Sequence, residues 1–239
     1  MKAIFKKEFR GLLLNPLGIA VLVIYAVVSG IIFTYFNMVY GYSSVEIVFS
    51  FLAILVLALI PLISCTAFTS EKSKKTNCFL ETLPLRKSEI LMGKYFARLV
   101  FLAMPKAVML LYPFALDIFG EVNYISCLSG LLALFLYEGF LLAFGIMTSA
   151  LFSKGLWAYI TTYITFIMTF LFPFLLTLIT GLPEKLDTVI SGIFMFLSPY
   201  GQFDSFTTGI FDLRKIIWFV AFSFIALAIA WLGLKKEEK

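Results

Sequence analysis

The chain has 239 residues, of which 62% are hydrophobic and only 14% are charged, whereas a soluble domain carries about 25% charged residues. With a mean hydropathy of +1.01, a water-soluble fold of this size has no means of hiding so much apolar side chain. The net charge is +5, but the basic residues lie between apolar runs, which indicates membrane topology rather than a nucleic-acid patch. The sequence has no histidine and three cysteines, so it lacks the usual general base, the usual metal ligand and a disulfide framework.

Six apolar runs are long enough to cross a bilayer, which requires about 20 mainly apolar residues. They are Leu17–Tyr40, Val45–Phe68, Leu99–Leu116, Tyr124–Phe152, Leu156–Thr180 and Ile216–Leu234. The sequence therefore predicts an all-α polytopic membrane protein with a single transmembrane domain over residues 1–239. The fourth run is long, which predicts a tilted helix, a kink near Gly139 or Gly145, or a partly interfacial end. A cleaved signal peptide is the less favoured interpretation of the first run, because its apolar stretch is longer than an h-region of about 7–15 residues.

Residues 1–16 precede the first run, and residues 3–14 among them are amphipathic at helical spacing. The apolar side chains on one face are Ile4, Phe5, Phe9, Leu12 and Leu13. The charged side chains, Glu8 included, are predicted to lie largely away from that face, and Asn15-Pro16 then ends the pattern. We expect an interfacial helix on the inner leaflet. The alternative is a solvated basic tail that only sets the topology.

The distribution of Lys and Arg predicts the orientation of the spans. With the N-terminus inside, most basic residues fall in the cytoplasm: Lys2, Lys6, Lys7, Arg10, Lys72, Lys74, Lys75, Arg86, Lys87, Lys94, Arg98, Lys154, Lys235, Lys236 and Lys239. Only Lys185, Arg214 and Lys215 fall outside, where the connections carry mainly acidic residues: Glu46, Asp117, Glu121, Glu184, Asp187, Asp204 and Asp212. We therefore expect both termini to be cytoplasmic.

The two long connections are a cytoplasmic loop, residues 69–98, and an extracytoplasmic segment, residues 181–213. In the loop, Phe79, Leu80 and Leu83 share one face of a short helix that Pro84 ends. This exposed apolar face is compatible with a docking element for another protein or with a helix that dips back into the membrane interface. The outer segment is apolar but interrupted by Pro199, so we expect it to re-enter the membrane partly, protected by neighbouring protein.

Two charged residues fall within the predicted spans. A charge at the bilayer centre costs about 2.5–3.5 kcal/mol on insertion scales, so Lys106 and Glu138 are candidates for the lining of a pathway. Lys106 lies about 12 Å and Glu138 about 21 Å from the inner ends of their spans, so a pair is possible but not implied. We favour snorkelling of Lys106 to the inner surface, and for Glu138 a hydrogen-bonded role is equally compatible. In the fifth run, Thr161, Thr165 and Thr169 share a face, which we interpret as helix packing rather than a substrate-facing stripe.

Two segments resemble type-2 ABC exporter permeases. The stretch Glu71-Lys72 … Phe79-Leu80-Glu81-Thr82-Leu83-Pro84-Leu85-Arg86-Lys87-Ser88-Glu89-Ile90-Leu91-Met92-Gly93-Lys94 is similar to their first cytoplasmic loop, although Thr76-Asn77 departs from the usual Gly-Thr. The stretch Leu197-Ser198-Pro199-Tyr200-Gly201 … Asp212-Leu213-Arg214 is similar to the segment before the last span in permeases associated with gliding motility and with copper delivery to nitrous oxide reductase. Six spans, an amphipathic N-terminal helix and a long outer segment agree with that family over essentially the whole chain.

The resemblance implies a half-transporter in the plasma membrane of a prokaryote. This chain and a second permease, either a copy or a homologue, would form the pathway. Two separate ATPase subunits would bind ATP and Mg, and the residues implied in ATPase coupling are Glu71, Lys72, Phe79, Leu80, Glu81, Leu83 and Pro84. The sequence has no GxxxxGK[ST] motif, so we expect no nucleotide cofactor and no ATPase activity on this chain itself. Export is implied by the resemblance; the residues alone are compatible with either direction and with cargoes from peptides to ions.

Two other classes of function compete with a transport subunit. An intramembrane enzyme needs a catalytic constellation inside the bilayer, and the lack of histidine excludes metalloprotease and Ser-His chemistry. The aspartates all lie outside the predicted spans, which disfavours an aspartyl dyad. A membrane scaffold or assembly factor without transport is the remaining alternative.

Overall fold

The computed structural model describes residues 1–42, 45–73, 86–118, 122–178, 192, 196–207 and 212–236. All regular structure within these residues is helical. In chain order the helices are α1 (Lys2–Leu14), α2 (Pro16–Phe33), continued by a π-helical segment (Thr34–Val39), α3 (Glu46–Ser64), α4 (Thr66–Ser73), α5 (Lys87–Met109), α6 (Tyr112–Asp117), α7 (Tyr124–Leu151), α8 (Gly155–Leu178), α9 (Pro199–Thr207) and α10 (Leu213–Lys236).

Five helical stretches are long and apolar enough to cross a membrane. They are Pro16–Val39, Glu46–Ser73, Lys87–Asp117, Tyr124–Leu151 and Leu213–Lys235. The part of α8 from Gly155 to Leu171 counts as a shorter apolar helix. The prediction of an all-α fold is thereby confirmed for the described residues, and five of the six predicted spans correspond to helices long and apolar enough to cross a membrane.

The helices extend beyond the apolar runs that predict them. α5 begins at Lys87, whereas the apolar run begins at Leu99. The start lies next to Ser88, where the sequence also predicts the N-cap of a helix that continues into the third span. This first part of α5 is polar in sequence, but Lys94 and Arg98 are buried against other helices. An apolar run therefore marks only part of a helix, and packing decides how far the helix extends.

α7 forms the centre of the bundle. Over its most apolar window 72% of residues are buried, against 28% for Pro16–Val39 and for Leu213–Lys235. α7 runs unbroken from Tyr124 to Leu151, so neither Gly139 nor Gly145 interrupts it. Gly145 instead allows α3 to approach closely, because a Cβ there would collide with Ser64. Small residues at such crossings are typical of helices that pack within membranes.

One end of the bundle carries the basic residues of several helices, and we call it the basic end. There Lys72 donates to the Ala150 carbonyl at 2.6 Å and Lys87 donates to the Leu234 carbonyl at 2.7 Å. The start of α1 also lies here, with Ile4 against Gly93. The segments predicted to be cytoplasmic, as far as the structure describes them, therefore meet at one end of the molecule.

Candidate functional site: two buried charge networks

A charge network at the basic end links α1, α4 and α5. Arg98 donates to Glu8 at 3.1 Å, and the Lys94 ammonium lies 3.9 Å from the second oxygen of that carboxylate. Lys94 also forms an ion pair with Glu71 on α4. The cations are the buried members, since Lys94 is 1% exposed and Arg98 is 3% exposed. The two cations and two carboxylates together carry no net charge. Cations buried to this degree need such paired counter-charges.

The same two cations bind carbonyl groups near the junction of α3 and α4. Arg98 Nε donates to the Ile63 carbonyl at 3.2 Å, and Lys94 Nζ donates to the Ala67 carbonyl at 2.5 Å. Lys94 and Arg98 are four residues apart, so they project from one face of α5. The Lys94 ammonium also lies 4.4 Å from the centroid of the Phe68 ring, a favourable cation–π distance. α5 therefore fixes the position of α4 through both side-chain and backbone contacts.

The interruption between α3 and α4 at Cys65 has a defined cause. Pro61 lies inside α3, where its nitrogen cannot donate a hydrogen bond. The Ser149 hydroxyl of α7 donates to the Cys65 carbonyl at 2.8 Å and accepts from the Phe68 and Thr69 amides at 2.9 and 3.3 Å. A side chain that enters the hydrogen-bond ladder in this way interrupts a helix. α4 is therefore a separate helical segment, and α7 supports its junction with α3.

The second network lies deep in the bundle and joins α2, α5 and α7. Lys106 forms an ion pair with Glu138, and it also donates to the Leu102 carbonyl of its own helix at 3.0 Å. Tyr25 donates to the other oxygen of Glu138 at 2.8 Å. Tyr25, Lys106 and Glu138 are 0%, 7% and 1% exposed. Both carboxylate oxygens of Glu138 are thus satisfied, so the arrangement holds three helices together.

This geometry contradicts the prediction for Lys106 and agrees with one of the two interpretations of Glu138. Lys106 does not snorkel to the inner surface; its side chain is buried and faces Glu138. The snorkelling prediction was wrong because it considered one helix alone, whereas a counter-charge on α7 offers a better environment than a stretched side chain. Glu138 is hydrogen-bonded between helices, as one of its two interpretations required.

The predicted threonine stripe bonds within its own helix. The hydroxyls of Thr161, Thr165 and Thr169 donate to carbonyls four residues earlier in α8, at 2.8, 2.8 and 3.0 Å. The adjacent Thr162, which sequence analysis passed over, is fully buried. It lies 2.6 Å from Thr148 of α7, the two hydroxyl oxygens sharing a hydrogen bond.

Sequence analysis also missed the partners of the basic-end network. It assigned Glu8 to the polar side of α1, but Glu8 contacts Arg98 within the bundle. It placed Lys94 and Arg98 in a water-exposed loop, where they are buried instead. The pairing joins residues far apart in the chain, so no local spacing could have revealed it.

The structure places only part of the predicted coupling set. Glu71 and Lys72 lie on α4, near the end of the chain segment that leads into the loop. Phe79, Leu80, Glu81, Leu83 and Pro84 lie outside the described residues. Comparison with protein-family models and with curated proteins finds no match to this chain.

Proposed function

We propose that this chain is the membrane-spanning subunit of an ATP-binding cassette transporter of the type-2 exporter class. It forms the substrate pathway together with a second permease, and separate ATPase subunits dock on residues 74–85. The proposal includes six spans, with α8 as the fifth, cytoplasmic termini, α1 as an interfacial helix and α9 as part of an outer re-entrant segment. The resemblance of the loop sequence to that family motivates the proposal.

The observation that carries the proposal is the anchoring of the loop at its base. The loop leaves α4 after Ser73 and returns to α5 at Lys87. These two helices are joined by the Lys94–Glu71 ion pair, and Arg98 joins α5 to α1 through Glu8. A displacement of the loop would therefore reach three helices through buried contacts rather than be absorbed by a flexible tether. A subunit that receives force from an ATPase needs such a base.

The packing of α9, which belongs to the outer segment, supports a role of this segment in closing the pathway at the end opposite the basic end. In α9, Phe203 and Phe206 are both fully buried. The Phe206 carbonyl accepts a hydrogen bond from Ser129 of α7 at 3.1 Å, and Ser198 donates to the Thr169 carbonyl of α8 at 3.2 Å. The segment before the last span is thus packed into the bundle, consistent with a re-entrant element.

Co-purification from native membranes tests the proposal. We expect the tagged full-length chain to recover a subunit that contains a GxxxxGK[ST] motif, together with ATP hydrolysis. Phe79→Ala and Leu83→Ala should reduce the recovered ATPase subunit about ten-fold or more, because truncation of apolar anchors at an interface costs 2 kcal/mol and upwards for the largest contributors. Thr76→Ala, in the same loop, is the matched control and should recover the subunit normally.

Glu71→Gln separates docking from coupling. It leaves the apolar docking face unchanged but removes the ion pair with Lys94, so we expect normal recovery of the ATPase subunit and a reduced response of its activity to the permease. A stable chain that recovers no such subunit would contradict the proposed function. Recovery that is indifferent to Phe79→Ala and Leu83→Ala would contradict the assigned docking face.

A further inference from the structure

A groove separates α5 from α10 and runs along the surface of α7. Its floor contains Leu136 and Gly139, one wall contains Tyr95 and Leu99, and the other contains Val220 and Phe224. The groove encloses about 640 Å³ of space, including the part open to the surroundings. Its walls are apolar and rich in aromatic rings, a lining suited to a hydrocarbon chain.

The few hydroxyls beside the groove are already bonded. Tyr95 donates to the Gly139 carbonyl at 3.2 Å, and Ser223 donates to the Phe219 carbonyl at 2.7 Å. Neither therefore needs a polar ligand, and an apolar occupant leaves both satisfied.

The depth of the groove along α5 corresponds to the membrane leaflet at the basic end. Along α5 the groove extends from about 8 Å to about 18 Å beyond Lys87 at the helical rise per residue. Most of it therefore lies in the nearer half of a hydrocarbon core about 30 Å thick. On α10, the exposed Trp231, one turn after Leu227, continues from the groove towards the basic end. Lipid hydrocarbon is therefore expected to reach from the groove to the neighbourhood of Lys235.

Basic side chains lie at the basic end of the two helices that form the walls of the groove. Arg86 and Lys87 precede α5, and Lys235 lies near the end of α10. The two helices converge here, since Lys87 bonds the Leu234 carbonyl. Arg86 and Lys235 are exposed, so they are accessible to a headgroup. Clusters of this kind between spans attract anionic lipid headgroups.

We propose that the groove binds one anionic phospholipid of the leaflet at the basic end. An acyl chain lies between α5 and α10 on the floor that Leu136 and Gly139 provide, and the phosphate lies beside Arg86 and Lys235. The lipid fills the space that α5 and α10 leave open along α7. This site requires only that the chain spans a bilayer and does not depend on a transport function.

Native mass spectrometry of the full-length protein in detergent tests the site, with phosphatidylglycerol and phosphatidylcholine of equal acyl length as probes. We expect one molecule of phosphatidylglycerol to bind at least ten-fold more tightly than phosphatidylcholine. Arg86→Gln and Lys235→Gln should each weaken phosphatidylglycerol binding about five-fold, as expected for one surface charge. Neither substitution should change the binding of phosphatidylcholine.

Val220→Trp tests the acyl chain position, because the indole fills the groove. We expect a loss of phosphatidylglycerol affinity of ten-fold or more. Ile225→Trp is the matched control, since Ile225 is exposed on α10 but does not line the groove, and should bind like the wild type. If Val220→Trp is not monodisperse, Val220→Phe serves in its place. Equal affinity for the two lipids, or equal affinity in the two tryptophan variants, would overturn the proposal.

Discussion

The contact between Lys106 and Glu138 illustrates how a membrane interior tolerates charge. The ammonium and the carboxylate neutralise each other, and Tyr25 and the Leu102 carbonyl complete their hydrogen bonds. Removal of one partner leaves an uncompensated buried charge, which costs more than removal of both. The pair therefore favours one arrangement of α2, α5 and α7 over alternatives in which the helices are rotated.

A double-mutant cycle measures this contribution. Lys106→Met leaves Glu138 without its counter-charge and should destabilise the protein by about 3–5 kcal/mol, visible as a lower Tm in detergent. Lys106→Met combined with Glu138→Leu should recover most of the loss. Tyr25→Phe is the mild control, since a single hydrogen bond between membrane helices contributes about 0.6 kcal/mol. A Glu138→Gln variant with wild-type Tm but impaired transport would instead assign Glu138 to the pathway.

Among the elements, spans are predictable from sequence and their connections are not. Apolar runs identify Tyr124–Leu151 as a helix because lipid requires about 20 apolar residues in succession. The junction at Cys65 bonds Ser149, a residue of another helix. The sequence does predict that a helix starts near Ser88 and continues into the third span, as α5 does. The ion pairs of that part of α5 with Glu8 and Glu71, distant in the chain, are not predictable, because such contacts have no period in the sequence.

The hydrogen bonds at the junction of α3 and α4 predict a specific effect of Ser149→Ala. Loss of the hydroxyl leaves the Phe68 and Thr69 amides without their described acceptor, at a cost of about 1–3 kcal/mol. We expect faster hydrogen exchange of these amides and a lower Tm. Ser50→Ala on α3 is the matched control, because that hydroxyl bonds the Glu46 carbonyl of its own helix at 3.1 Å. Unchanged exchange in Ser149→Ala would show that the junction does not need this support.

At the scale of the whole molecule, the two ends of the bundle differ in charge. The basic end gathers Lys72, Lys87 and Lys235. At the opposite end, Glu46 accepts a hydrogen bond from Ser126 at 3.1 Å, and Asn123 caps the start of α7. The positive-inside rule therefore predicts that the basic end faces the cytoplasm, the side from which the proposed ATPase would reach the loop.

Labelling of single cysteines in intact cells tests this orientation. Cys65 and Cys127 are buried, so replacement of Cys78 by Ser provides a background with low reactivity. In that background, Tyr42→Cys should react with a membrane-impermeant maleimide from outside, because Tyr42 is exposed at the end opposite the basic residues. Lys154→Cys, between α7 and α8, should react only after the cells are permeabilised. The reverse pattern would place the basic end outside and would contradict an ATPase that docks on residues 74–85 from the cytoplasm.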